Sequence, residues 1–148
     1  MKKLNININK TDILEKVSLN SSYAGAKSEM EKDIFDRVAT IDDDNAILSE
    51  FWMEMCNRVT DKLSAFVKTS TPNDSSFDCM FELSGGYDDT LSPSVCEDIF
   101  SAIASGVTAR WFGFTLPATA KDWEEKSEIL LNRAISKICQ RKRPERRG

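Results

Sequence analysis

DDDNAILSEFWMEMCNRVTDKLSAFV, residues 42–67, is the stretch that decides how this chain folds. Ile47, Leu48, Phe51, Trp52, Met55, Val59, Leu63, Phe66 and Val67 recur three and four residues apart. That spacing lays a continuous apolar stripe along a helix of roughly five turns or more. Asp42, Asp43 and Asp44 stand at its start, where carboxylates cap free N–H groups and favour the helix dipole. A stripe this long is unstable in water by itself, so other apolar surfaces of the chain must cover it.

Candidate partners lie on both sides. Leu4, Ile6 and Ile8 alternate with Asn5, Asn7 and Asn9, the period of a half-buried strand over 4–9. Thr11 or Asp12 can cap a helix carrying Ile13, Leu14 and Val17. Ser21 or Ser22 can cap a second segment through Tyr23, Ala26, Met30, Ile34, Phe35 and Val38. After the central helix, 69–76 reads as a polar loop. Phe77, Cys79, Phe81 and Leu83 then mark a second strand over 77–83, closed by the turn Ser84-Gly85-Gly86. The two strands can pair with each other, and both must lie on helices, since two strands alone are marginal in water. Ser92 followed by Pro93 opens a helix with Val95, Ile99, Ile103, Val107, Trp111 and Phe114 inward. Small residues around Gly106 leave that helix open to close contact. A break over Gly113 to Pro117 precedes a last helix, 118–140, with Trp123, Leu130, Leu131, Ala134, Ile135 and Ile138 inward. The expected fold is mainly α: one helical domain over 1–140, a bundle with a minor two-stranded β element.

Composition narrows the chemistry. The 148 residues include no histidine, which excludes Ser-His-Asp and Cys-His catalysis. Cys56, Cys79, Cys96 and Cys139 show no C-x-x-C spacing, so a zinc site is not expected. Free, mostly buried thiols in a cytoplasm are expected instead. Asp42–Asp44 with Glu50 or Glu54 could attract a divalent cation, but the run lacks the ligand spacing and glycine of an EF-hand, and capping accounts for it. Ser84-Gly85-Gly86 is too short to cradle phosphate. No apolar run approaches the ~18–20 residues of a membrane helix. The expectation is a protein without catalytic activity, cofactor or metal. Trp52, Trp111 and Trp123 fall on apolar helix faces; Trp111 and Phe114, near a helix end, are candidates for a subunit interface.

The end of the chain is different in kind. Arg141-Lys142-Arg143-Pro144-Glu145-Arg146-Arg147-Gly148 carries five positive charges and one negative charge, a net +4. The remaining residues hold 15 Lys and Arg against 23 Asp and Glu, a net −8. Pro144 stops a helix from continuing, so 141–148 is expected to leave the body as an extended, solvated arm. Arg141, Lys142, Arg143, Arg146 and Arg147 are the candidate partner-binding residues. Their guanidinium forks suit carboxylates on an acidic protein, and phosphate contact is the other possibility. The acidic body opposes DNA outside the arm. A small nucleic-acid-binding regulator or DNA-packaging accessory is the alternative function.

Four pieces of the chain resemble a group of small proteins in the head-gene clusters of Bacteroidetes tailed phages and prophages. They are Ser22-Tyr23-Ala24-Gly25-Ala26-Lys27, Ile41-Asp42-Asp43-Asp44 leading to Phe51-Trp52, Ala109-Arg110-Trp111-Phe112, and Arg141-Lys142-Arg143-Pro144. The resemblance implies a head–tail connector, also called an adaptor or neck protein. Such a protein is a mainly helical part of the virion, made in the host cytoplasm, and forms a homo-oligomeric ring, often twelve-fold. The resemblance further implies that the ring sits beneath the portal, next to another neck or tail protein. DNA passes through the lumen as cargo, and the C-terminal arm docks on the portal.

Overall fold

The computed structural model describes the backbone of residues 1–27 and 45–141. Strand β1 (Lys2–Asn9) runs directly into helix α1 (Lys10–Lys27), and α2 (Asn45–Lys62) follows the undescribed 28–44. Strands β2 (Val67–Pro72) and β3 (Ser76–Leu83) come next, then α3 (Ser92–Thr115) and α4 (Pro117–Cys139). The fold is mostly helical, but the sheet has three antiparallel strands in the order β1-β3-β2 rather than two.

The extra strand occupies the end of the long apolar stripe and the stretch read as a loop. Helix α2 stops at Lys62, and Phe66 and Val67 leave it through a turn in which Phe66 N–H donates to the Leu63 carbonyl at 2.9 Å. The Phe66 carbonyl then accepts from Glu82 N–H at 2.8 Å, which starts the ladder. Val67, Thr69 and Thr71 are β-branched and suit extended backbone. Asn73 closes the hairpin: its Oδ1 accepts from the N–H groups of Ser75 and Ser76, each at 2.8 Å. The buried Trp52 indole donates to the Asn73 carbonyl at 2.8 Å, fastening this turn to α2.

The sheet buries one face. Leu4, Ile6 and Ile8 of β1 and Phe77, Cys79, Phe81 and Leu83 of β3 are buried, while Asn5, Asn7, Asn9 and Asp78 face outward. Those inward side chains join a single core with the helices. Helix α3 is its axis and is packed by α1, α2 and α4. Of the sequence-expected breaks, the one at Ser21 is absent: α1 runs through it, and the buried Ser21 hydroxyl donates back to the Ser18 carbonyl at 3.0 Å. Thr11 and Asp12 lie inside the first turn of α1, because the helix begins at Lys10. Met30, Ile34, Phe35, Val38 and the aspartates 42–44 lie outside the described residues. Ser92 is the first residue of α3 rather than its cap, and its hydroxyl pairs with Tyr87 OH at 3.0 Å. Helix α3 continues through Gly113 to Thr115, and Leu116, with a φ of −140°, breaks it before Pro117 opens α4. Proline suits that first turn because its missing N–H is not needed there.

Gly106 realises the close contact that its small neighbours suggested. A Cβ on Gly106 would lie 2.3 Å from Met55 Sδ and 2.4 Å from its Cε, inside van der Waals contact. Gly106→Ala gains about 1 kcal/mol of helix propensity but overpacks the α2–α3 contact at a cost of about 1–3 kcal/mol. A net loss of about 1 kcal/mol in urea unfolding is expected. In a Met55→Ala background the same substitution should become stabilising, and a double-mutant cycle measures that reversal.

Candidate functional site

Two polar constructions stand out on this frame. One is the root of the basic arm. Helix α4 ends at Cys139, Gln140 is extended, and Arg141 forms an antiparallel bridge with Tyr87. The backbone of Arg141 is thereby held to the body, and the residue is exposed. Tyr87 is 2% exposed and acts as the hub. Its N–H donates to the Ser84 carbonyl at 3.0 Å, and its carbonyl accepts from Lys2 Nζ at 2.7 Å. Lys2 Nζ also lies 3.2 Å from Asp89 Oδ1. Gly86 lies close beside this bridge: a Cβ there would come 3.1 Å from Arg141 Cδ, so the arginine side chain would have to give by a few tenths of an ångström. Lys142, Arg143, Arg146 and Arg147 lie outside the described residues.

The second construction is a charged seam joining α2, α3 and α4. Arg58 donates through Nη1 to Glu124 and through Nη2 to Glu128 Oε2, the latter at 2.7 Å. Lys62 Nζ meets Glu128 Oε1 at 2.7 Å. Arg110 Nε binds Glu54 Oε2 at 2.7 Å, and its Nη1 donates to the Gly106 carbonyl at 3.1 Å. Beside the seam, Glu54, Asn57, Arg58, Asp61, Lys62 and Arg110 line a shallow groove of about 540 Å³. The hydrogen bond to Glu124 raises Arg58 further above the ordinary guanidinium value. The bond from Lys62, with help from Arg58, holds Glu128 below the usual carboxylate range, against a smaller opposing effect of burial. The groove's strongest charges thus bind one another and fasten three helices.

The sequence reading did not single out this seam. Its trace was present in two i,i+4 pairs, Glu54 with Arg58 and Glu124 with Glu128, flanking the apolar stripes. Only the tertiary fold brings the two pairs together.

The other candidates fall elsewhere. Trp111 is 8% exposed and belongs to the core. Phe114 lies in the last turn of α3, and its side chain is outside what is described. Trp123 is half-buried, its ring 6.2 Å from that of Phe112 and covered by Lys126 Nζ at 4.9 Å. Glu54, considered for a cation, is committed to Arg110. Among the described residues no three cysteine, aspartate or glutamate side chains cluster as metal ligands. Nor is any described helix long and apolar enough to cross a membrane. No protein-family model, curated protein or solved structure matches the chain.

Burial pushes the Cys56 thiol up to about 12 and the Cys79 thiol up to about 11, which keeps both protonated and poorly nucleophilic. Against the expectation of mostly buried thiols, Cys139 is exposed, and Cys96 is partly so. A thiol reagent should therefore modify Cys139 first and Cys96 slowly, reaching Cys56 and Cys79 only after denaturant is added; mass mapping of the labelled peptides reads the order. The seam predicts an acid limb. Because Glu128 is lowered in the folded state, its contribution is present above the unfolded value of about 4.3 and is lost as pH falls through the folded one. Glu128 is 36% exposed, so the effect is below about 1 kcal/mol, and Glu128→Gln should flatten the stability profile across that window.

Proposed function

We propose that this chain is a structural protein of a tailed-phage neck. Copies form a ring beneath the portal, next to a neighbouring neck or tail protein. Packaged DNA passes through the lumen, and the arm from Arg141 to Gly148 docks on the portal. The observation that carries this reading is the basic arm on an acidic body, with its first residue pinned to Tyr87. A pinned root gives a charged arm a defined starting point and direction, which lowers the ordering entropy of docking. Arginine forks on the arm suit carboxylates of a protein surface. A body at −8 repels phosphate, which lets DNA slide past without sticking. Trp111 serves the chain's own core, which leaves little of its indole for a neighbour, so the proposed subunit contact rests on Phe114 and on surfaces around the end of α3.

The alternative is a small nucleic-acid-binding regulator or packaging accessory, in which the same arm grips phosphate. The two separate in one experiment. The full chain and a chain ending at Gln140 are each sedimented with the portal protein of the same genome, and each is titrated with duplex DNA at several salt concentrations. The neck reading expects both chains to keep the same circular dichroism and only the full chain to co-sediment. A shortened chain that still binds the portal refutes the role given to the arm. Tight DNA binding that falls steeply with salt, without portal binding, selects the regulator.

A further inference from the structure

The two edges of the sheet are built differently. Edge strand β2 carries a register irregularity between Val67 and Thr69, an exposed Lys68, and Pro72, which has no N–H to offer. Bulge, lysine and proline are the devices that keep an edge from recruiting another strand. Edge strand β1 has no bulge or proline. It pairs with β3 in unbroken register from Lys2 to Asn9 and is uncharged from Leu4 through Asn9. Among the described residues its outer side meets no further strand.

We propose that β1 pairs antiparallel with β1 of a second copy, forming a two-fold dimer with one continuous six-stranded sheet. The strand is complementary to itself. Opposed residues of an antiparallel pair share a face, so Leu4, Ile6 and Ile8 must oppose one another and the asparagines must do likewise. A shift by one residue would set asparagine against the buried row and expose the isoleucines. Of the registers that remain, the one centred on Ile6 opposes Asn5 to Asn7 and Leu4 to Ile8. It places Lys3 against Asn9, away from any lysine. It also leaves Lys2, already held by Tyr87 and Asp89, outside the pairing. Helices from both copies then cover the same face of the joined sheet, because the two-fold axis stands perpendicular to it. This inference concerns the free chain and is independent of the neck reading: a two-fold contact closes on itself, whereas a ring grows through head-to-tail surfaces.

Pairing seven residues at an edge buries less than the ~1,200 Å² of a stable complex, so the dimer forms on the order of 10–100 µM. Sedimentation velocity of the full chain over about 5–500 µM should show a monomer–dimer transition. The double variant Asn5→Lys, Asn7→Lys sets like charges opposite each other twice across the axis and should raise the dissociation constant about tenfold or more. Within one chain position 7 faces Asp78, and position 5 faces Met80 and lies diagonal to Asp78 and Glu82, so the fold is retained, as thermal unfolding would report. Hydrogen exchange on the unmodified chain gives a second reading, in which amides within residues 3–9 gain protection as concentration rises. A monomer throughout the range overturns the proposal. So does a dimer whose dissociation constant is unchanged in the double variant, or a dimer formed without added protection in β1.

Discussion

Everything in this fold leans on β3. It is the strand with hydrogen-bonded neighbours on both sides, and its inward row of Phe77, Cys79, Phe81 and Leu83 is almost wholly removed from water. Burying that row requires a helical layer against one face and leaves the other face polar. The consequence propagates outward. β1 and β2 take their registers from β3, the Asn73 turn sets where β2 ends, and the Trp52 indole ties that turn to α2. Helix α2 in turn docks on α3 through the notch at Gly106, and α4 folds back along α3.

The helical layer is held by two kinds of contact with different tolerances. Apolar packing along α3 supplies the bulk of the burial and responds to single methyl groups, as the fit of Met55 into Gly106 illustrates. Polar contacts fix how α4 lies. Buried Ser127 donates to the Ala102 carbonyl at 2.7 Å, and Lys137 joins nearly buried Asp98 at 2.6 Å. These bonds contribute little net energy when made, yet leave an unsatisfied buried group when broken. They therefore act on orientation more than on stability. The Arg58 seam does the same at the solvent boundary, where screening keeps each pair weak and the network supplies geometry.

Much of this is legible in the amino-acid sequence, for a physical reason. Leu4, Ile6 and Ile8, and the row from Phe77 to Leu83, are apolar at every second position, and one buried face leaves that signature. The stripes on α2, α3 and α4 are legible for the same cause at a helical period. β2 was not legible because its burial is shallow: Lys68, Thr69 and Thr71 are all exposed, so no apolar alternation marks it. Its strand character comes from the ladder and from the Asn73 turn, which are tertiary facts. The seam was hidden for a related reason. Arg58 and Glu128 are 70 residues apart, and charges on separate helices leave no joint pattern in a linear sequence. At the arm, composition announced the charge but could not show that Arg141 is pinned.

The pairing of β1 with β3 sets a timetable for synthesis. Lys2 pairs with Leu83 and Asn9 with Ser76, so β1 leaves the ribosome without a partner and waits until β3, beyond α1 and α2, has emerged. During that interval a strand that is uncharged from Leu4 through Asn9, with three aliphatic side chains on one face, is exposed. Such segments are where nascent chains stick to one another. Loop closure over that distance must also precede any reward from the ladder. Helices α1 and α2 can form locally in the meantime, so the sheet is the late event, and β1, though made before its partner, is among the last elements to reach its place.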